Sequence, residues 1–362
     1  CDFHFSTQLT RRTEMVEAIC LELKSRNLEN ASPSIETIYF GGGTPSLLSS
    51  SEISVIIETI YKHFNVGNDA EITLEANPDD LTTAKLKELR TSQVNRLSIG
   101  IQSFRDQDLK FMNRAHNAQE ADRCVKTAQD IGFENITIDL IYAIPGLEKT
   151  DWIKNITTAL GLNVPHISSY CMTIEEKTVF GNREKKGLLK PTEDDHALEQ
   201  YILLSSMLRE NEYSHYEVSN FAKKGFESKH NTSYWSGKPY LGVGPSAHSF
   251  DGISTRRWNI SNNAVYLKKI YDNEKYFESE LLNSSERYNE TVMTSLRTAK
   301  GIDTDQVKAL FGIDIKKEFS QEISEYQSVG WLISEAKGIR LTEEGFFRGD
   351  TIASDFFKVQ EK

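Results

Sequence analysis

Five apolar, β-branched runs punctuate the first half of the chain, at 35–40, 71–75, 95–101, 135–142 and 166–173. Between them the apolar positions recur at helical spacing. Ser51 to Phe64 carries Ile53, Val55, Ile56, Ile57 and Ile60, Thr82 to Leu89 is shorter, and Ala118 to Ile131 closes on Gly132. Strands that return every ~30–35 residues with helices between them predict consecutive βα units and a parallel sheet. The run Ile136-Thr137-Ile138-Asp139-Leu140-Ile141 reads as a strand covered on both faces. Beyond residue 175 the rhythm loosens. A helix over Asp194 to Leu208 precedes a short strand, Tyr213 to Val218, and then a stretch dense in aromatics, glycine and histidine. The last ~80 residues read as a compact α-rich unit. It has helices over Glu286 to Thr298 and Asp305 to Phe311, and a short strand at Ile339-Arg340-Leu341.

Bulk properties narrow the class. At 362 residues, 38% hydrophobic and 26% charged, the chain has the make-up of a soluble globular protein with one large domain and a smaller one. No stretch reaches the roughly 20 apolar residues of a membrane span, although peripheral docking on a membrane is left open. The net charge of −11 disfavours nucleic acid, whose phosphates call for a basic surface. The four cysteines, Cys1, Cys20, Cys124 and Cys171, are too dispersed for a disulfide framework and fit a reducing, cytoplasmic setting. Cys20 falls with Met15, Val16, Ile19 and Leu23 at helical spacing, Cys124 beside Val125 and Ala128, and Cys171 in a strand. All three read as packed thiols.

Polar residues gather where the strands end: Gly41 to Gly43 after the first, Glu75 and Asn77 on the second, Gln102 on the third and Asp139 late in the fourth. In parallel α/β barrels that edge carries the chemistry. Gly42 and Gly43, followed by Thr44-Pro45-Ser46, let the backbone approach a ligand closely.

The opening Cys1-Asp2-Phe3-His4-Phe5-Ser6, taken with Gly41-Gly42-Gly43-Thr44-Pro45-Ser46, resembles the radical S-adenosylmethionine (SAM) proteins of the anaerobic coproporphyrinogen oxidase group. The resemblance implies a [4Fe–4S] cluster on a Cys-x3-Cys-x2-Cys loop, with Cys1 as the third cysteine and the first strand and two ligands preceding this chain. Three soft thiolates suit such a cluster and leave one iron free for SAM. A chain with Cys1 alone is expected not to assemble a stable cluster. By the same resemblance Gly42, Gly43, Thr44 and Glu75 lie at SAM, Gln102 and Asp139 at its ribose, Arg114 at its carboxylate and Ile141 at its adenine. The implied fold is α/β: an open, partial (β/α)6 radical SAM barrel of TIM-like type with a small helical HemN-type C-terminal domain. Its parts are 1–225, a connecting segment 226–282, and 283–362.

Two features divide the group. Its oxidases carry a further cysteine two places after the third, where this chain has Phe3. The run His230-Asn231-Thr232-Ser233-Tyr234-Trp235 resembles the signature of the heme-chaperone branch. Imidazole ligates heme iron well, and Tyr234 and Trp235 offer faces to a porphyrin. The resemblance thus implies three cofactors or cargoes (cluster, SAM and heme), with acceptor hemoproteins as partners. Oxidative decarboxylation of coproporphyrinogen is the alternative. His248 and His215 rank behind His230 as iron ligands, and His4 reads as structural or close to the cluster.

Overall fold

The computed structural model describes residues 9–26 and 34–358, so Cys1, Phe3 and His4 lie outside the described residues. Five parallel strands form the frame: β1 (Ile35–Phe40), β2 (Val66–Ala76), β3 (Arg96–Gln102), β4 (Asn135–Tyr142) and β5 (His166–Cys171). Two short strands, β6 (Ser214–Glu217) and β7 (Asn220–Ala222), extend the sheet antiparallel in the order β1-β2-β3-β4-β5-β7-β6. Helices 50–63, 83–91, 118–130 and 149–161 follow the strands on one side. Two of them start on reciprocal capping boxes, Ser49 with Glu52 and Asn117 with Glu120.

The strands are not apolar on both faces, which corrects the reading of β4. Ile72, Leu74, Leu97, Ile99, Ile136, Ile138 and Leu140 pack outward in one apolar core with Ile53, Leu86, Val125 and Trp152 of the helices. The alternate positions turn inward and are polar: Thr37 and Tyr39, Glu71, Thr73 and Glu75, Arg96 and Ser98, Thr137 and Asp139, His166 and Ser168. A half-barrel wraps only its outer side in helices, so its inner side must satisfy polar groups or hold a ligand.

The helix Lys229–Trp235 enters this inner space. Ser228 caps it, accepting from the Asn231 N–H. The buried Glu71 carboxylate accepts the N–H groups of Lys229 and His230 at 3.1 and 3.0 Å. A second antiparallel sheet follows, β8 (His248–Phe250), β9 (Thr255–Asn259) and β10 (Phe277–Leu281), in the order β10-β9-β8. Its attachment to the helix Arg12–Arg26 runs through Glu22, which is fully buried. Glu22 accepts from Tyr266 Oη at 2.6 Å, Asn259 Nδ2 at 2.8 Å and the Gly244 N–H at 2.9 Å, with the Arg26 guanidinium 3.7 Å away. Cys20 packs between that helix and Ile56 and Phe64, and Cys124 lies in the main core, as expected; Cys171 is half-buried at the end of β5.

In the C-terminal part, helix Ser284–Leu296 sends Tyr288, Val292 and Leu296 into the same apolar core as the barrel. A three-stranded sheet, Ile302–Asp303, Gly338–Leu341 and Leu332–Ser334, accompanies the helices there.

Replacing Glu22 with Ala leaves three donors without an acceptor beside a buried guanidinium. The expected loss is roughly 3–5 kcal/mol, read as a lower urea midpoint, with Glu22→Gln intermediate. An unchanged midpoint would refute the keystone role of this carboxylate.

Candidate functional site at the strand ends

Gly41, Gly42 and Gly43 leave β1 with φ of +74° at Gly42 and +107° at Gly43, left-handed values that favour glycine. A Cβ on Gly41 would sit 2.6 Å from the Tyr39 ring and 3.0 Å from Glu75 Oε1, whereas at Gly42 and Gly43 it would meet open space. The first glycine is therefore packed and the next two form an open cradle. Thr44 leads from it into the short turn Pro45–Leu47. Glu75, half-buried on β2, accepts from Tyr39 Oη at 2.7 Å and from the Gly42 N–H at 3.3 Å. Burial pushes its carboxyl above the usual range, and those two donors pull it back.

Asp139 on β4 faces the same space. Burial first, then the charge of Glu75, lifts its carboxyl to about 7, against the Ser168 hydroxyl, Arg96 and Arg114. Arg114 donates from Nη2 to Asn77 Oδ1 at 2.7 Å and to the Gly100 carbonyl at 2.9 Å. These are neutral acceptors, and Arg114 has no ion-pair partner among the described residues, so its charge is available to a ligand. Gln102 takes a φ of +69°, rare for a residue with a Cβ, and Ile141 lies half-buried one inward position beyond Asp139. The structure thus brings Gly42, Gly43, Glu75, Gln102, Arg114, Asp139 and Ile141 to one edge. Two uneasy carboxylates, an unpaired guanidinium and an open glycine cradle fit a ligand with ammonium, carboxylate and hydroxyl groups, which is the chemistry of SAM.

His230, Tyr234 and Trp235 share the helix inside the barrel. His230 Nδ1 lies 2.9 Å from Thr37 Oγ1, and its ring stacks on Tyr39 at 4.5 Å and 15°. Burial, then Arg96, holds this imidazole down at about 4, so it is neutral at physiological pH. Tyr234 meets its edge at 4.9 Å and is itself exposed. Trp235 is half-buried with its indole near Glu217 and the Arg297 guanidinium 5.8 Å from its ring. Tyr39 therefore touches both sets: its hydroxyl holds Glu75 and its face carries His230.

The other histidines sort by environment. His215 is stacked on Phe221 at 4.1 Å and held to about 4 by burial, an interior packing residue, whereas His248 stands exposed on β8. No group of three or more His, Cys, Asp or Glu among the described residues could hold a metal, and the expected cluster ligand, Cys1, lies outside the described residues. A cavity of about 560 Å³ lies at the opposite end of the barrel, lined by Asp69, Glu71, Asn135 and Lys229. It is not the strand-end site, whose residues form an open edge. Tyr39, Glu71 and Arg96 escaped the sequence reading. Their signal was the polar residue at every second position of each strand.

Comparisons with known proteins agree with this geometry. The family model of the Radical SAM superfamily matches residues 1–159, and that of the HemN C-terminal domain matches 282–348. The heme chaperone HemW of Lactococcus lactis subsp. lactis (strain IL1403) is 34% identical, over 94% of this chain and 88% of its own. That of Bacillus subtilis (strain 168) is 32% identical, over 98% and 94%. The solved structure of coproporphyrinogen III oxidase (HemN) from Escherichia coli superposes with a TM-score of 0.83 at 21% identity, over 99% of this chain and 86% of that one. The last likeness establishes the fold.

The Asp139 carboxyl gives a pH test without any ligand. Unfolded, it titrates near 3.9; folded, near 7. The folded state therefore keeps a proton that the unfolded state has lost, and stability falls as pH rises through that window. Asp139→Asn is expected to be the more stable chain at pH 8, by on the order of 4 kcal/mol, with the gap closing towards pH 4. Denaturant midpoints at the two pH values decide it; a gap that widened on acidification would refute the assignment.

Proposed function

Because the chain belongs to the HemW family of radical SAM proteins, we propose that it is a heme chaperone that takes up heme and passes it to acceptor hemoproteins. In this reading Gly42, Gly43, Thr44, Glu75, Gln102, Arg114, Asp139 and Ile141 hold SAM. Cys1 is a cluster ligand, and the helix bearing His230, Tyr234 and Trp235 contacts the heme. The observation that carries it is the bridge at Tyr39, which ties the signature helix to the carboxylate beside the glycine cradle. A pocket for SAM and a heme-contacting element would then be parts of one device rather than neighbours by accident.

The chain's own residues would work as follows. Arg114, already oriented by Asn77 and Gly100, meets the SAM carboxylate. Asp139 faces the ribose hydroxyls and Ile141 the adenine. Open backbone at Gly42 and Gly43 admits the amino-acid end of SAM without a steric penalty. When bound together, a [4Fe–4S] cluster and SAM supply a route to reductive cleavage of the sulfonium. Tyr234, exposed on the signature helix, offers its face to the porphyrin, while His230 supports it edge-on from within.

Hemin titration followed by mixing with a heme-free globin tests the cargo assignment. Uptake by this chain and appearance of the globin's heme spectrum are expected, with no conversion of coproporphyrinogen III by a chain extended to carry the other two cysteines of the Cys-x3-Cys-x2-Cys loop and loaded anaerobically with iron, sulfide and SAM. Conversion would move the protein to the oxidase side of its fold. Independently, Arg114→Ala is expected to weaken SAM binding in calorimetry about 10- to 100-fold, the worth of one charge-assisted contact. Unaltered SAM affinity would remove Arg114 from the site.

A further inference from the structure

The second sheet has an inner face tied to the helix Arg12–Arg26 through Asn259 and an outer face on which Arg256 bonds to Glu290 of the helix Ser284–Leu296. Ser249, Arg257 and Asn259 turn inward and are buried. Outward, His248 pairs with Trp258, which pairs with Glu278, and Phe250 pairs with Arg256, which pairs with Glu280. Tyr240 bridges to Phe250 from outside the sheet. Tyr240, His248, Arg256, Trp258 and Glu280 line a cavity of about 440 Å³, within the range of small-molecule and cofactor sites.

His248 differs from the other described histidines in what surrounds it. Its ring lies 6.3 Å from Trp258 at 28°, it is exposed, and neither ring nitrogen has a hydrogen-bond partner among the described residues. His116, His166, His196 and His215 are each engaged by a carbonyl or hydroxyl. His63 lies at the end of the helix Ser50–His63, with no ring neighbour among the described residues. His230 is half-buried between Tyr39 and Tyr234 with Nδ1 held by Thr37, a more enclosed place for an iron ligand than that of His248. The groove also continues the signature helix, since Tyr234 and Tyr240 meet edge to face at 4.6 Å.

We propose that this groove seats the heme, with His248 as the iron ligand, Trp258 and Tyr240 against the porphyrin and Arg256 receiving a propionate. The proposal rests on the heme-chaperone reading and assigns the ligand that reading leaves open. Charge sets a further condition. Arg256 is bonded to Glu290 and lies 3.6 Å from the exposed Glu280, so an incoming propionate competes with Glu280 for the guanidinium. Glu280 is then a brake on affinity, one that favours release.

Ferric heme titrations of the full chain, with electron paramagnetic resonance to identify the axial ligand, test this. His248→Ala is expected to lose the imidazole-ligated signal and bind at least tenfold more weakly. His230→Ala should lower affinity yet keep that signal. Arg256→Gln is expected to weaken binding about tenfold, and Glu280→Gln to tighten it severalfold. Circular dichroism of each variant guards against misfolding, a small risk at exposed positions. An intact imidazole signal in His248→Ala, lost instead in His230→Ala, overturns the groove and leaves the heme reading standing. Absence of heme binding by the unmodified chain overturns both.

Discussion

The Glu71 carboxylate inside the half-barrel is the contact on which the rest of the site depends. It is 6% exposed, with the buried Arg96 guanidinium 3.9 Å away and the first two N–H groups of the signature helix bonded to its oxygens. A charge so buried needs partners, because desolvation otherwise outweighs what it gains. Arg96 is held in turn by Thr137 of β4. Three adjacent strands and a helix from 160 residues further along the chain therefore share one electrostatic knot. The helix start is a favourable place for a carboxylate, since its N–H groups have no partner within the helix.

From that knot the geometry passes upward without a gap. Once the helix is seated, His230 has no choice but to lie on Tyr39, and Tyr39 then presents its hydroxyl to Glu75. The strand-end carboxylates sit at the upper limit of the ladder, where polar partners thin out and burial dominates. This explains why Asp139, with one serine hydroxyl and two more distant guanidinium groups, is lifted to about 7 while the lower Glu71 is fully engaged. Such discomfort is what a binding site for a ligand with cationic and hydroxyl groups offers before that ligand arrives.

The five parallel strands and the edge that carries Glu75, Gln102 and Asp139 were legible in the sequence. Their signals are local: an apolar run, then a polar or glycine residue where it stops. Arg96 and Glu71 were not legible as a pair, because each stands alone in its strand and only the register of β2 against β3 brings them together. The likeness of residues 230–235 to a heme signature singled out that segment but not its place in the fold. That segment is a seven-residue helix with no apolar face, and its position comes from capping by Ser228 and Glu71, a tertiary contact. Glu22 is the same case. A glutamate within the helix Arg12–Arg26 reads as a solvated charge until Tyr266, Asn259 and Gly244 arrive from more than 200 residues away.

Imidazole chemistry alone cannot rank the histidines of this chain; environment can. His230 is neutral, hydrogen-bonded and enclosed by two aromatic rings, the surroundings of a side chain that transmits position. His248 is exposed beside an indole, on a sheet face whose Arg256 is bonded to Glu290 and lies 3.6 Å from Glu280. The proposed carrier role requires release of the cargo as well as capture, and deep burial of the iron ligand would work against release. An exposed ligand with an acidic competitor beside the propionate contact satisfies both requirements. The two histidines need not compete for one role, since the fold gives each the surroundings of a different one.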